Sequence, residues 1–426
     1  MMKRLTSAQF AEQFCTRNSD SGFNAEVLQT VSAILQDVRL NRDEAVQKYT
    51  AKFDGTTVNQ LHVSAAEIRE AKAKVSPATL AALQKAAANI RAFHEKQVTP
   101  SRIMTAETGK QLGQLVLPME RIGIYVPGGK AVYPSTILMN AIPARLAGVQ
   151  EIIMVTPGKN NEAIAPVLVA AAEIAGVDKI YKIGGAQAIG ALAYGTETIV
   201  PVDKIVGPGN AYVAAAKMLV FGQVGIDMIA GPSEVAIIAD ETADPAFVAA
   251  DLLAQAEHDE NARVVLLTNS EELIEAVERE LESQLEKLPR KAIAQAALNG
   301  NSAIVLTSSL DESFALSNSF APEHLEVQTC NPQAQLGKIK HAGSVFLGSY
   351  APTALGDYYG GTNHVLPTNG TARFSSGLSV DDFIKKTTYT YYDKQALKQG
   401  QESIDQLTEE EQLAGHGESI NIRFKE

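Results

Sequence analysis

Seven histidines are few for 426 residues, and five of them, His258, His324, His341, His364 and His416, fall after position 250 among carboxylates, amides and glycines. Imidazole is the commonest metal ligand and the usual proton carrier near neutral pH, so the neighbours of each ring decide what chemistry is open to it. Gln255 and His258 stand three apart on a segment that reads as a helix from Asp244-Pro245, an N-cap followed by proline at the first helical position. Both side chains then project from one face, an arrangement that on its own is often a plain solvated edge. Ala321-Pro322-Glu323-His324-Leu325 lies where a helix gives way to a strand. It offers a carboxylate able to activate water beside an imidazole able to take a hydroxyl proton. Asp357 and His364 stand in a glycine-rich loop, and His416 follows a glycine in the tail. Gln255, His258, Asp357 and His416 together supply two imidazoles, a carboxylate and an amide oxygen. Such a set suits Zn²⁺ in a site left open to substrate, since a structural zinc more often uses thiolates. Spacing alone does not bring the four together.

A second group is built from backbone. Ile122-Gly-Ile-Tyr125-Val-Pro-Gly128-Gly129, Gly184-Gly185-Ala-Gln187 and Gly207-Pro208-Gly209-Asn210 each read as strand, glycine turn and helix. Turns of this kind aim backbone N–H groups and helix N-termini at phosphates along the carboxyl edge of a sheet. None fits G-x-G-x-x-G, and glycines end many strands for backbone reasons alone, so a dinucleotide site and a simple turn both stay open here.

The elements that must position these residues follow from periodicity. Val27, Val31, Ile34 and Leu35, then Leu80, Leu83, Ala87, Ile90 and Phe93, recur at helical spacing between about 25 and 98, where His62 and His94 read as surface or packing residues. From Arg121, short strands at 122–126, 152–155, 180–183 and 205–206 alternate with helices. The pattern repeats with strands at 235–238, 264–267, 303–306, 325–327 and 344–347, which predicts two tandem α/β units with parallel sheets. After Gly348 a glycine-rich stretch to Gly377 is long enough to be functional. The tail from Tyr392 regains helical spacing through Leu397, Ile404, Leu407 and Leu413, and is expected to break at Gly415-His416-Gly417. The expected division is an N-terminal arm (1–22), an α/β domain of 23–120 with 234–378 carrying most of the chemistry, a nucleotide-type α/β domain (121–233) and a C-terminal helical arm (379–426).

Composition narrows the partners. With 45% hydrophobic and 20% charged residues the chain can build two real cores, and a net charge of −12 argues against nucleic acid. The longest apolar stretch, 163–177, contains Pro166 and Glu173 and falls short of the roughly 20 residues a membrane span needs. Cys15 and Cys330 are too far apart for a local motif, and the N-terminus lacks the apolar segment of an export signal, so a reducing, cytoplasmic setting is expected.

The motifs together resemble one family. Gly-Ile-Tyr125-Val-Pro-Gly-Gly, Gly-Gly-Ala-Gln187-Ala-Ile, Gly-Pro-Gly-Asn210-Ala-Tyr, Ala-Gly-Pro-Ser233-Glu, Gln255-Ala-Glu-His258-Asp, Pro-Glu323-His324-Leu and Gly-Thr-Asn-His364-Val-Leu-Pro-Thr are similar, in order and over nearly the whole chain, to histidinol dehydrogenases. The resemblance implies tandem three-layer α/β/α units of the aldehyde-dehydrogenase type, flanked by N-terminal helices and a C-terminal helical arm. It implies a zinc-dependent homodimer that oxidises L-histidinol through L-histidinaldehyde to L-histidine with two NAD⁺, the last step of histidine biosynthesis. Carried over by motif, Gln255, His258, Asp357 and His416 would hold Zn²⁺, and Glu323 and His324 would move protons. Ser233 and Glu411 would join His324 and the metal ligands in contacting substrate. Tyr125, Gln187 and Asn210 would contact NAD.

The zinc would act mainly as a template for the substrate's imidazole and amino nitrogens, and the tail would reach the partner subunit's site. Departures are local: Glu411-Gln-Leu-Ala-Gly415-His416 keeps the family's polar spacing with different neighbours, Gly360 stands where serine is expected, and Glu260 where proline is common. Both cysteines lie outside every motif, which favours a water-based second oxidation over a thiohemiacetal. Competing explanations are a zinc alcohol dehydrogenase for another amino alcohol and a two-domain α/β ligand-binding protein.

Overall fold

Ile- and Val-rich runs bounded by glycines become strands, and the Ala-rich segments between them become helices. The computed structural model describes residues 2–16, 24–55, 60–128, 132–158 and 164–425; Gly129 and part of the expected N-terminal arm lie outside these. The chain begins with β1 (Lys3–Leu5), α1 (Ser7–Phe14), α2 (Ala25–Asp54), α3 (Ala65–Ala73), α4 (Pro77–His94), β2 (Arg102–Glu107) and β3 (Lys110–Pro118). A first alternation runs β4 (Arg121–Tyr125), α5 (Pro134–Ala147), β5 (Glu151–Val155), α6 (Pro166–Ala175), β6 (Lys179–Tyr181), α7 (Gly185–Tyr194), β7 (Lys204–Val206), α8 (Ala211–Val220) and β8 (Gly225–Ile226). A second begins β9 (Glu234–Ala239), α9 (Pro245–Ala256), β10 (Arg263–Thr268), α10 (Glu271–Leu285) and α11 (Lys291–Gly300). It continues β11 (Ala303–Leu306), α12 (Leu310–Phe320), β12 (His324–Gln328), β13 (Ser344–Leu347) and α13 (Thr353–Tyr358). The chain closes with β14 (Ile384–Tyr392), α14 (Lys394–Glu410) and α15 (Ala414–Asn421).

Two parallel sheets result, ordered β6-β5-β4-β7-β8 and β1-β11-β10-β9-β12-β13. In each alternation the first three strands step one way and the fourth returns to the other side of the first. This reversal places a switch point between β4 and β7 and another between β9 and β12, where crevices open in such sheets. Helices cover both faces, so the strands are apolar along their length, as in Val235–Ala239. α2 buries Val31, Ile34, Leu35 and Val38 at helical spacing against Ile189, Leu192 and Val213. Each such side chain contributes about 1.5–3 kcal/mol by leaving water. No helix among the described residues is long and apolar enough to cross a membrane.

Several expectations are corrected. Residues 1–97 with 120–383 form one compact unit, and 98–119 with 384–426 form a second. The helices placed with 234–378 in the expected division belong in part with the other sheet, because α2 packs on α7 and α8. Within the expected N-terminal arm, β1 pairs with β11, and Phe10 is wholly buried. The C-terminal arm is not purely helical, since β14 pairs antiparallel with β3, which pairs with β2. Its strand was hard to see because Ile384–Tyr392 has no buried face to leave a period-two trace. Gly415-His416-Gly417 lies inside α15; the chain turns earlier, at Gln412, where φ is 57°. Gly417 suits that packing, as a Cβ there would stand 2.8 Å from Thr408 Oγ1 on α14. His94 is buried, its Nδ1 2.9 Å from the Ile90 carbonyl and its Nε2 3.3 Å from Asn363 Nδ2.

Candidate active site

β12 lies between β9 and β13, buried on both faces. Leu325 and Val327 join the apolar cluster with α12, while the alternate positions, His324, Glu326 and Gln328, share the opposite face. Its first residue, His324, pairs across to Val235, and its Nδ1 lies 3.0 Å from the carbonyl oxygen of Glu234. An Nδ1–H donated there leaves Nε2 with the lone pair. Burial lowers the His324 pKa, which keeps the ring neutral. Glu323 Oε2 accepts the Glu234 N–H at 2.9 Å and sits 3.6 Å from His324 Nδ1. One peptide segment at the start of β9 therefore holds both side chains. Burial pushes the Glu323 carboxyl well above its ordinary range, the charges of Glu234 and Asp357 add to this, and a Ser233 hydrogen bond opposes it. The turn into β12 is tight: Ala321 has φ 53°, and a Cβ on Gly343 would stand 2.5 Å from the Glu323 carbonyl.

α9 is started by Asp244, whose carboxylate accepts the Ala246 N–H at 2.8 Å, with Pro245 next. Gln255 is buried in its last turn. His258 lies just beyond the helix end, more open to solvent, its N–H donated to the Gln255 carbonyl at 3.2 Å. Surrounding protein lowers the His258 pKa; the Asp357 carboxylate opposes this and His324 adds to it, so the three are close enough to feel one another. Asp357 sits near the end of α13. A Cβ on Gly356 would stand 2.6 Å from the Phe346 ring, so glycine lets α13 approach β13 closely. Asp357 Oδ1 is 3.7 Å from His364 Nδ1, and His364 Nε2 is 3.4 Å from Thr136 Oγ1. Thr136 lies in the first turn of α5, which follows the carboxyl end of β4. The amino edge of the second sheet therefore meets the carboxyl edge of the first.

That carboxyl edge carries Tyr125, Gln187 and Asn210. Tyr125 ends β4, and its hydroxyl accepts the Gly185 N–H at 3.1 Å. Asn210 caps α8, its Oδ1 accepting from Tyr212 and Val213 at 3.1 Å each. Gly207 has φ 107°, and a Cβ there would stand 2.2 Å from the Tyr125 carbonyl oxygen. Asp227 and Lys217 hold this turn, accepting the Gly207 N–H at 2.8 Å and donating to its carbonyl at 2.9 Å. Gln187 is buried with neither amide atom bonded, an arrangement costing about 1–3 kcal/mol that a ligand could offset. Glycine turns, helix starts and an unbonded amide are of the chemical type that a dinucleotide would call on.

The structure thus gathers His258, Glu323, His324 and Asp357, with Ser233 against Glu323 and Gln255 one turn from His258. Glu411, ending α14, and His416, in α15, belong to the second unit, where both are exposed. Among the described residues no three His, Cys, Asp or Glu side chains form a metal-holding cluster. The donor types still fit Zn²⁺: a neutral imidazole, a carboxylate and an amide leave a place for one more ligand and for substrate. Sequence reasoning left His364 with no contact role and passed over Thr136, Glu234, Glu326 and Gln328. The signal was present in His324-Leu-Glu326-Val-Gln328, where polar residues alternate along a buried central strand. Neither cysteine joins the site: burial pushes the Cys15 thiol up to about 11, and exposed Cys330 lies past the opposite end of β12 from His324.

Tandem parallel sheets that meet edge to edge around a buried carboxyl–imidazole pair define an α/β protein with a candidate acid–base site. The histidinol dehydrogenase family model matches residues 17–424, and the chain belongs to that family of oxidoreductases. Histidinol dehydrogenase from Clostridium acetobutylicum is 52% identical, covering 94% of this chain and 93% of that one. The Listeria innocua protein of the same name is 51% identical over 100% of both. A crystal structure of histidinol dehydrogenase from Elizabethkingia anophelis aligns with a TM-score of 0.94 at 41% identity, covering 99% of this chain and 98% of that one.

Proposed function

We propose that the chain oxidises L-histidinol through L-histidinaldehyde to L-histidine, the last step of histidine biosynthesis, with NAD⁺ as acceptor and Zn²⁺ in the site. The observation that carries this is the Glu234 peptide, which holds Glu323 and His324 side by side and engages His324 through Nδ1, leaving the lone pair on Nε2. When bound, Zn²⁺ supplies a template for the substrate's nitrogens and NAD⁺ the two-electron oxidant. Gln255, His258 and Asp357 would hold the metal, with His416 as fourth ligand; Ser233 and Glu411 would orient the substrate beside them. Tyr125, Gln187 and Asn210 on the 121–233 α/β domain would hold the dinucleotide.

His324 Nε2 removes the hydroxyl proton as the alcohol carbon is oxidised. Glu323, a stronger base than an exposed carboxylate because its pKa is raised, then takes a proton from water adding to the aldehyde carbon. Once His324 has released its first proton to solvent, the hydrate would be oxidised by a second NAD⁺, its hydroxyl proton again passing to His324, to give the acid. Burial of both side chains keeps bulk water out. The second unit, with Glu411 and His416, would be exchanged between the subunits of a homodimer, and two unpaired cysteines suit a cytoplasmic enzyme.

Purified protein given L-histidinol and NAD⁺ should form two NADH per histidinol, and chelation should abolish this. One NADH per substrate would instead indicate a simple alcohol dehydrogenase, and binding without turnover a ligand-binding protein.

A further inference from the structure

The face of β12 that carries His324 also carries Glu326 and Gln328, and neither has a part in the chemistry above. A central parallel strand covered on both faces is normally apolar throughout. Glu326 is only 1% exposed, and its Oε1 accepts the N–H of Thr353, the first residue of α13, at 2.9 Å. That helix start has no side-chain cap of its own. Gln328 Nε2 donates both to Glu326 Oε2 at 3.0 Å and to Asp251 Oδ2 on α9 at 2.8 Å. Two carboxylates facing one donor, Glu326 buried and Asp251 half-buried, repel unless one of them holds a proton. Burial, reinforced by Asp251, pushes Glu326 up to about 8, and burial raises Asp251 as well. A protonated carboxyl can donate to Asp251 while accepting from Thr353 and Gln328, which no apolar side chain can do.

Each element tied here bears a site residue close by: Asp251 precedes Gln255 by four residues and His258 by seven, Thr353 precedes Asp357 by four, and Glu326 follows His324 by two. We propose that Asp251, Glu326 and Gln328 form a positioning cluster that fixes the spacing of α9, α13 and β12, and so of the metal ligands and the proton-transfer pair. This rests on the zinc site proposed above. These are positioning residues, since none is placed at the reacting atoms.

The test is the zinc dissociation constant, by chelator competition, together with the melting temperature of wild type, Glu326→Leu and Glu326→Gln. The leucine variant should bind zinc about 10–100-fold more weakly well below its melting temperature, the range expected for loss of an outer-shell partner. Glutamine, which can still accept from Thr353 and donate to Asp251, should stay within about threefold of wild type. Leucine binding as tightly as wild type, or glutamine failing as badly as leucine, would overturn the cluster while leaving the zinc site standing. Failure of wild type itself to bind zinc would overturn the site and the cluster together. If Glu326→Leu does not fold, Asp251→Ala at the partly exposed margin takes its place, with at least tenfold weaker zinc expected and wild-type affinity contradicting the proposal.

Discussion

Apart from β1 at the edge of the second, the two sheets share one strand order and use opposite ends of it. The β4–β8 sheet presents its carboxyl edge at the switch point, built from glycine turns, helix starts and the unpaired amide of Gln187. The β9–β13 sheet presents its amino edge, where Ser233-Glu234 and Glu323-His324 begin two neighbouring strands. One edge is made of backbone groups with uncharged side chains, and the other of charged or imidazole side chains. They meet through Thr136 and His364. The contrast shows why one topology can be repeated without repeating its chemistry: a carboxyl edge offers helix N-termini to anions, while an amino edge lets side chains be gripped by a neighbouring strand's peptide.

The contrast can be broken at either edge. The largest effect is expected from His324→Asn, with a fall in kcat of about 10²–10⁴-fold and little change in zinc or NAD⁺ affinity. Next is Gly207→Ala at the opposite edge, where φ is 107° and the added Cβ meets a backbone oxygen. A strain of about 1–3 kcal/mol should lower the melting temperature and raise KM for NAD⁺, while zinc affinity holds. Gln187→Leu should raise KM for NAD⁺ about tenfold, equivalent to roughly 1.4 kcal/mol, yet raise the melting temperature of the ligand-free chain by removing an unsatisfied amide.

A smaller effect is expected in the pH dependence of stability. The folded chain holds a proton on Glu326 up to about 8, which the unfolded chain releases near 4.5. The stability from this group is therefore full below about 4.5 and lost as pH rises through about 8. Melting curves of Glu326→Gln between these limits should fall less steeply with pH than those of wild type; an unchanged slope would show that Glu326 is not protonated. The smallest effect is expected from Cys15→Ser with Cys330→Ser, which should leave turnover largely intact. Lost activity with zinc retained would require a thiol in the second oxidation.

Much of this was legible in the sequence because the central strands are buried on two faces, so 235–238 and 264–267 stand out as short apolar runs between polar residues. Motif spacing exposed Gln255, His258, Glu323, His324 and Asp357 because each sits at an element boundary. β2, β3 and β14 were not legible: β2 and β14 are largely exposed and β3 is mostly half-buried, so none needs apolar alternation. Glu326 was overlooked because a carboxylate between Leu325 and Val327 reads as a solvent-facing position, whereas here both faces are covered. The role of His364 depended on contacts with Asp357, seven residues earlier, and with Thr136, which is 228 positions away. No local pattern encodes the second of these.

The division of labour between the edges is tested most directly by measuring kcat and the NAD⁺ dissociation constant side by side in His324→Asn and Gln187→Leu. The account predicts a crossed result: the first loses turnover and keeps NAD⁺ affinity, while the second loses affinity and keeps most of its turnover at saturating NAD⁺. Near-wild-type turnover in His324→Asn, or both variants changing the same constant, would contradict it.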